Sequence, residues 1–202
     1  MAKISGMVSA LSLSVLVALA AGCRVDTHKD ADGKNENVKI ATPFGGISVK
    51  TDQAAVEGGL GLTAYPGAMQ VNKDNGSDEA ADINMSFGSF HLGVKAISYT
   101  TPDAPDKVLA FYRKDMARFG TVILCVNGRA NGTPNHTSDG LTCEEHNSKV
   151  KIDDFKAQQE LRAGSKQHQH IVTIESKAGG TKFGLVALDL PGNMGKDGND
   201  VD

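Results

Sequence analysis

The sequence of 202 residues contains no tryptophan, and its aromatic residues are three tyrosines and seven phenylalanines. A hydrophobic core must therefore be built mainly from valine, isoleucine, leucine and alanine. The 21 lysines and arginines are outnumbered by 24 aspartates and glutamates, which gives a formal net charge of −3. This balance argues against the basic surface that nucleic-acid binding requires, so we expect no nucleic acid among the partners.

Long hydrophobic runs are absent except at the amino terminus. Lys3 precedes an apolar run over residues 4–21, and the small residues Ala20-Ala21-Gly22 end it directly before Cys23. A positive tip, an apolar middle and a small-residue exit predict a secretory signal peptide over residues 1–22. The alternative is an uncleaved transmembrane helix, for which the run is near the lower length limit of about 18 residues. Either alternative exports the rest of the chain and tethers it to a membrane.

The end of this run, Leu19-Ala20-Ala21-Gly22-Cys23, resembles the lipobox of bacterial lipoproteins, although Ala20 stands where that motif usually has leucine. The resemblance implies cleavage after Gly22, a diacylglycerol in thioether linkage on Cys23, and a further acyl chain such as palmitate on the new amino terminus. The expected partner is therefore a membrane, reached through the lipid on Cys23. Arg24 follows the cysteine, where the known inner-membrane retention signal is aspartate. The resemblance thus favours the outer membrane, with the protein facing the periplasm.

Two further cysteines, Cys125 and Cys143, complete the set of three. An even pair in an exported chain predicts a disulfide, and two buried thiols are the alternative. The loop that the bond would close is short, and the expected stabilisation is about 3 kcal/mol.

Composition divides the remainder of the chain into segments. Residues 23–37 are polar after the cysteine and are interpreted as the lipidated residue and a flexible tether. Alternating apolar residues on both sides of Pro43-Phe44-Gly45-Gly46 predict a β-hairpin over residues 38–52. Residues 58–190 are predicted to form the globular domain. Residues 191–202 are rich in glycine and aspartate and are interpreted as a disordered tail.

Runs of predicted strands and one principal helix indicate an α+β fold with a mostly antiparallel sheet. The helix is expected at about residues 104–119, packed on one face of the sheet. Its apolar stripe consists of Val108, Leu109, Phe111, Tyr112, Met116 and Phe119. The spacing of these residues is that of a helix with one buried side.

A turn and a helix carry a second resemblance. Tyr65-Pro66-Gly67-Ala68, together with Phe111-Tyr112 and the later Gly120, is similar to a group of exported bacterial proteins of unknown function with a YPGA turn and an FY-containing helix. The resemblance covers about residues 60–190. Because that group has no assigned activity, the resemblance supports the fold and implies no function.

Two histidines are the candidate metal ligands. His168 and His170 alternate, so on a strand their side chains would share one face, as zinc or copper ligands can. The alternative is that the two histidines are polar residues at the beginning of a strand and bind no metal. The paired carboxylates Glu144-Glu145 and Asp153-Asp154 are interpreted as surface charge. No GxSxG context or other catalytic pattern is present, so no catalytic residue and no cofactor are predicted.

These observations favour a lipid-anchored cell-envelope protein that acts as a non-enzymatic binding or scaffolding module. A possible protein partner of the envelope would add a strand to an exposed edge in the 38–52 hairpin. The alternatives are a periplasmic metal-binding protein that uses its histidines, and an exported hydrolase.

Overall fold

A computed structural model describes residues 22–29, 36–71, 80–143 and 159–192. The described chain is dominated by one sheet of eleven strands, and all of the strand pairs are antiparallel. The strands are β1 (Arg24–Lys29), β2 (Glu36–Thr42), β3 (Gly45–Lys50), β4 (Met69–Gln70), β5 (Ala80–Phe87), β6 (Phe90–Thr101), β7 (Ile123–Val126), β8 (Arg129–Ala130), β9 (Gln159–Gly164), β10 (His168–Lys177) and β11 (Gly180–Asp189). Their order is β1-β2-β3-β5-β6-β11-β10-β9-β7-β8, and β4 pairs with β6. The prediction of a mostly antiparallel sheet is confirmed.

Within the described residues two helices accompany the sheet, which is compatible with the predicted α+β class. Helix α1 (Gln53–Leu60) begins after Asp52, whose carboxylate accepts a hydrogen bond from the Ala55 amide at 2.8 Å. Helix α2 (Pro105–Asp115) begins at a proline, which suits the first turn because that amide has no partner within the helix. One turn of 3₁₀ helix, Met116–Phe119, follows directly. The predicted helix at 104–119 is thus an α-helix extended by a tighter turn.

The core joins the helices to one set of alternating sheet residues. Val56 and Leu60 of α1, and Val108 and Tyr112 of α2, are buried in one hydrophobic cluster with strand residues. The strand residues in this cluster include Ile97, Tyr99, Leu161, Val172, Ile174, Phe183 and Leu185. They lie directly opposite one another across β6, β11, β10 and β9, and so share a face of the sheet.

Phe183 lies at the centre of the aromatic part of this core. Its ring centroid is 5.5 Å from that of Tyr99, 5.7 Å from that of Tyr112 and 5.9 Å from that of Tyr65. The Tyr65 hydroxyl also donates a hydrogen bond to Asp103 at 2.8 Å. The YPGA turn is therefore packed through its tyrosine against the sheet and the entry to α2.

The amino-terminal part of the described chain differs from the prediction. Residues 24–29, predicted to belong to a flexible tether, form strand β1, which pairs along its whole length with β2. All six side chains of β1 are exposed, so the main-chain ladder holds the strand, with an ion pair between Lys29 and Glu36 at 3.4 Å. The predicted hairpin is formed by β2 and β3, but its turn is Pro43-Phe44, and Gly45-Gly46 belong to β3.

Several predictions fall outside the described residues. They are residues 1–21 of the predicted signal peptide, the carboxylate pairs at 144–145 and 153–154, and all but the first two residues of the 191–202 tail. Among the described residues, none of the helices is long and apolar enough to cross a bilayer.

Candidate functional site

Cys23 lies at the surface, directly before strand β1, and its thiol is exposed and unbonded. The residue that the sequence predicts to carry lipid is therefore accessible. It is one residue from the first strand of the sheet, so no tether separates it from the folded domain. Any membrane attachment at Cys23 would hold the edge of the sheet at the bilayer surface.

The predicted disulfide is confirmed. Cys125 of β7 and Cys143 are bonded at 2.00 Å, and both cysteines are buried beside Ile123. The intervening loop is fastened at a second point, where the Thr137 hydroxyl donates to the Gly164 carbonyl at 2.7 Å and accepts from the Leu141 amide at 3.0 Å. The bond therefore fixes one end of a well-packed loop against the sheet.

The two candidate metal ligands have different environments. His168 is exposed, and its Nδ1 lies 2.8 Å from Asp189 Oδ1. His170 is half-buried, and its ring stacks on Phe119 with 3.6 Å between the centroids and an angle of 10° between the planes. Its Nδ1 is buried, with no hydrogen-bond partner in the described part of the chain. The His170 ring thus serves as a packing surface.

Within residues 22–29, 36–71, 80–143 and 159–192, no group of three or more histidine, cysteine, aspartate or glutamate side chains is arranged to hold a metal ion. Protein zinc sites use three or four such ligands. His168 and Asp189 supply one pair, and the His170 ring packs on Phe119. The arrangement gives the metal-binding alternative no support among these residues.

Arg118 extends the contact around His170, and the sequence did not reveal this role. Its guanidinium lies 5.0 Å from the centroid of the Phe119 ring and donates to Asp115 at 2.7 Å and to the carbonyl of Gly61. The 3₁₀ turn after α2 is thereby tied both to the end of α1 and to β10. The Asp115–Arg118 spacing of three residues was the only local signal of this tie.

Burial lowers the pKa of His170, and the nearby Arg118 and His168 lower it further, while Asp189 acts in the opposite direction. The unfolded chain, in which this imidazole has its ordinary pKa of 6.5, therefore binds more protons than the folded chain just below that pH. We expect the free energy of unfolding to decrease as the pH falls from 6.5 towards the lowered pKa. Urea unfolding at a series of pH values measures this dependence.

A His170→Phe variant provides the control, because phenylalanine keeps a flat ring against Phe119 and cannot take up a proton. The variant is expected to lose part of the decrease in stability between neutral and mildly acidic pH. Identical pH profiles for the variant and the parent would contradict this assignment to His170.

Two further pairs of polar side chains lie in buried or partly buried surroundings. The Tyr99 hydroxyl donates to the Glu57 carboxylate, and burial together with this carboxylate raises the pKa of Tyr99. Lys95 Nζ lies 3.4 Å from Asp82 Oδ1 in a second pair. Both carboxylates thus have a partner side chain within the protein. These pairs give the hydrolase alternative no support.

Comparison of the chain with protein-family models, with curated proteins and with solved structures finds no match. Functional inference therefore depends on the residues and contacts described above.

Proposed function

We propose that this protein is a lipid-anchored cell-envelope protein, attached to a membrane through acylated Cys23, whose domain is a non-enzymatic binding or scaffolding module. One observation carries the proposal. Cys23 is exposed at the junction between the apolar leader over residues 4–21 and the first strand of the sheet. A thiol buried in the domain would be out of reach of an acylating enzyme, whereas this thiol is accessible.

The energetics of acylation support a stable attachment. Each buried methylene contributes about 0.8 kcal/mol, and one acyl chain alone gives only marginal, reversible binding. The two or three chains implied by the lipobox resemblance would hold the domain essentially permanently. Because β1 begins at Arg24, the domain would be held against the bilayer and would not extend far from it.

The disulfide is consistent with export. Cys125 and Cys143 are bonded and buried, as is expected of a structural disulfide in an oxidising compartment such as the periplasm. The disulfide adds independent support for exposure of the domain outside the cytoplasm, because it does not depend on the leader.

The expectation that the 38–52 hairpin offers an edge to a partner is wrong. Strand β2 lies between β1 and β3, and β3 lies between β2 and β5, so both strands are paired on both sides. The described sheet ends in β1 on this side and in β8 on the other, and β1 carries Arg24, Asp26 and Lys29. Charged edge strands disfavour the addition of another strand. We therefore do not assign partner binding to either strand of the hairpin.

Metabolic labelling with an alkyne analogue of palmitate tests the proposal in bacterial cells. The parent chain is expected to incorporate the label and to be shortened by removal of its leader. A Cys23→Ser variant is expected to remain full-length and unlabelled, because serine cannot form the thioether. Labelling and processing are the readouts, since an uncleaved leader alone would keep the variant on the membrane.

A Cys125→Ala/Cys143→Ala double variant is the matched control, because it removes the other two cysteines and keeps Cys23. It is expected to be labelled like the parent. Absence of label from the parent, or label retained in the Cys23→Ser variant, would overturn the proposed attachment.

A further inference from the structure

Three segments of the chain lie side by side at one end of the sheet. Arg24 pairs with Ala41, which places Cys23 next to the turn between β2 and β3. Gly45 pairs with Phe87, and the Gly88 amide donates to the Phe44 carbonyl at 3.3 Å. The two turns, Pro43-Phe44 and Gly88-Ser89, are thus in contact, and Cys23 lies beside the first of them.

Exposed hydrophobic side chains are concentrated at this end. Val25, Phe44 and Phe87 are 63%, 80% and 40% exposed, and the remaining large exposed hydrophobic residue of the described chain, Met69, is 66% exposed. Met69 pairs with Thr100, near the opposite end of β6 from Phe90. Three of the four such residues therefore lie at the same end of the sheet as Cys23, although they come from three different strands or turns.

The composition of the two turns is unusual for a surface that faces only water. Residues 42–45 read Thr-Pro-Phe-Gly and residues 87–90 read Phe-Gly-Ser-Phe, so neither contains a charged residue. Turns favour glycine, proline, asparagine, aspartate and serine. A phenylalanine at the tip of a turn is unfavourable because it leaves apolar surface exposed to water. Arg24, the nearest charge along the chain to Cys23, is neutralised by Asp26 at 2.9 Å.

The apolar surface continues from the turns onto the sheet. Val25, Ile40, Ile47, Met85 and Leu92 lie directly opposite one another across five adjacent strands. Directly opposed residues of antiparallel strands point to the same face, so these five side chains form one row. The row lies two residue pairs behind Gly45 and Phe87 and extends the apolar character of this end.

We propose that this end of the sheet docks on the same bilayer leaflet that holds the lipid of Cys23. We call it the anchor end and define it by Cys23, Val25, Phe44 and Phe87. This inference depends on the proposed function for the covalent attachment. The occupant is a lipid surface because Cys23 would bring the bilayer to within two residues of Val25, a reach of about 7 Å. Phenylalanine side chains on an uncharged tip can be buried at the boundary between headgroups and acyl chains.

Docking would give the domain one preferred orientation on the membrane. The lipid on Cys23 alone would leave the domain free to swivel, whereas insertion of Phe44 and Phe87 would add a second and a third contact. The opposite end of the sheet, which carries Met69, would then point away from the bilayer.

Tryptophan fluorescence tests this orientation, because the natural chain contains no tryptophan and each variant has a single reporter. Phe44→Trp, Phe87→Trp and Met69→Trp variants of the full chain are purified from bacterial membranes. Each is reconstituted into vesicles of phosphatidylethanolamine and phosphatidylglycerol, with or without lipids brominated on their acyl chains. Met69→Trp is the matched control, since Met69 is highly exposed but distant from Cys23.

The Phe44→Trp and Phe87→Trp variants are expected to emit at shorter wavelength in vesicles than in detergent-free buffer, and to lose most of their emission to brominated lipids. The Met69→Trp variant is expected to show neither change. If acylated protein is attached to the vesicles but all three reporters stay water-exposed, the docking inference is overturned and the lipid anchor stands. If the chain carries no lipid and stays in the aqueous phase, both proposals are overturned. An unacylated chain that still binds vesicles through quenched reporters at positions 44 and 87 would support docking and overturn the lipid anchor.

Discussion

A Cys125→Ala/Cys143→Ala double variant is expected to unfold with a free energy about 3 kcal/mol lower than that of the parent. The disulfide joins residues separated by 18 positions, and removing it returns the conformational freedom of that loop to the unfolded chain. The two sulfurs also fill space beside Ile123 in a small buried cluster apart from the main core. The bonded cysteines are two of the three residues of that cluster, so we expect the loss to destabilise mainly β7 and the loop that ends at Cys143.

Urea unfolding followed by circular dichroism measures the change. The parent chain in excess reductant should unfold at nearly the same urea concentration as the double variant in the absence of reductant. A Cys23→Ala variant is the control for general effects of losing a cysteine, because Cys23 is exposed and unbonded. An unchanged unfolding midpoint for the double variant would show that the bond does not stabilise the fold.

A Phe183→Ala variant is expected to lower the free energy of unfolding by about 3 to 5 kcal/mol. Phe183 is fully buried and contacts the rings of Tyr65, Tyr99 and Tyr112, which come from three separate parts of the chain. Truncation to alanine leaves a cavity that these three rings cannot close, since the Tyr65 and Tyr99 hydroxyls are fixed by hydrogen bonds to carboxylates.

A Phe44→Ala variant makes the same chemical change at a residue that is mostly exposed, and is expected to alter stability by less than about 0.5 kcal/mol. Thermal or urea unfolding of both variants under the same conditions gives the comparison. Equal effects at Phe183 and Phe44 would contradict the description of the core, since one ring is enclosed and the other is not.

The elements that the sequence predicted well are those with a strong periodic pattern. Strand β6 and helix α2 have apolar residues spaced for a strand and for a helix, and burial of those residues determines where each element packs. Strand β1 reads Arg-Val-Asp-Thr-His-Lys and has no buried side chain, so its pairing with β2 depends on the main chain and leaves little trace in composition. The spacing of apolar residues in a sequence indicates which side chains are buried. Strand β1 has no buried side chain, so it gives no such signal.

Some features of the candidate sites could likewise be predicted from the sequence, and others could not. The disulfide between Cys125 and Cys143 was predictable because only two cysteines remain for pairing after Cys23. The stack of His170 on Phe119 was not, because it joins a strand to a turn that lies far away along the chain. The anchor end could not be predicted from the sequence either, since it depends on the strand register that brings the two uncharged turns together at the end of the sheet where Cys23 lies.

The attachment at Cys23 is the claim on which the proposed function depends most, and intact-mass spectrometry of protein extracted from native membranes tests it most directly. The account predicts a chain that begins at Cys23 and carries the added mass of a diacylglycerol and a fatty acid. Mild alkaline hydrolysis of an amino-terminal fragment is expected to remove the two ester-linked acyl chains and to leave the glycerol thioether and the amide-linked fatty acid in place. A chain that retains Met1 and an unmodified thiol at Cys23 would contradict it.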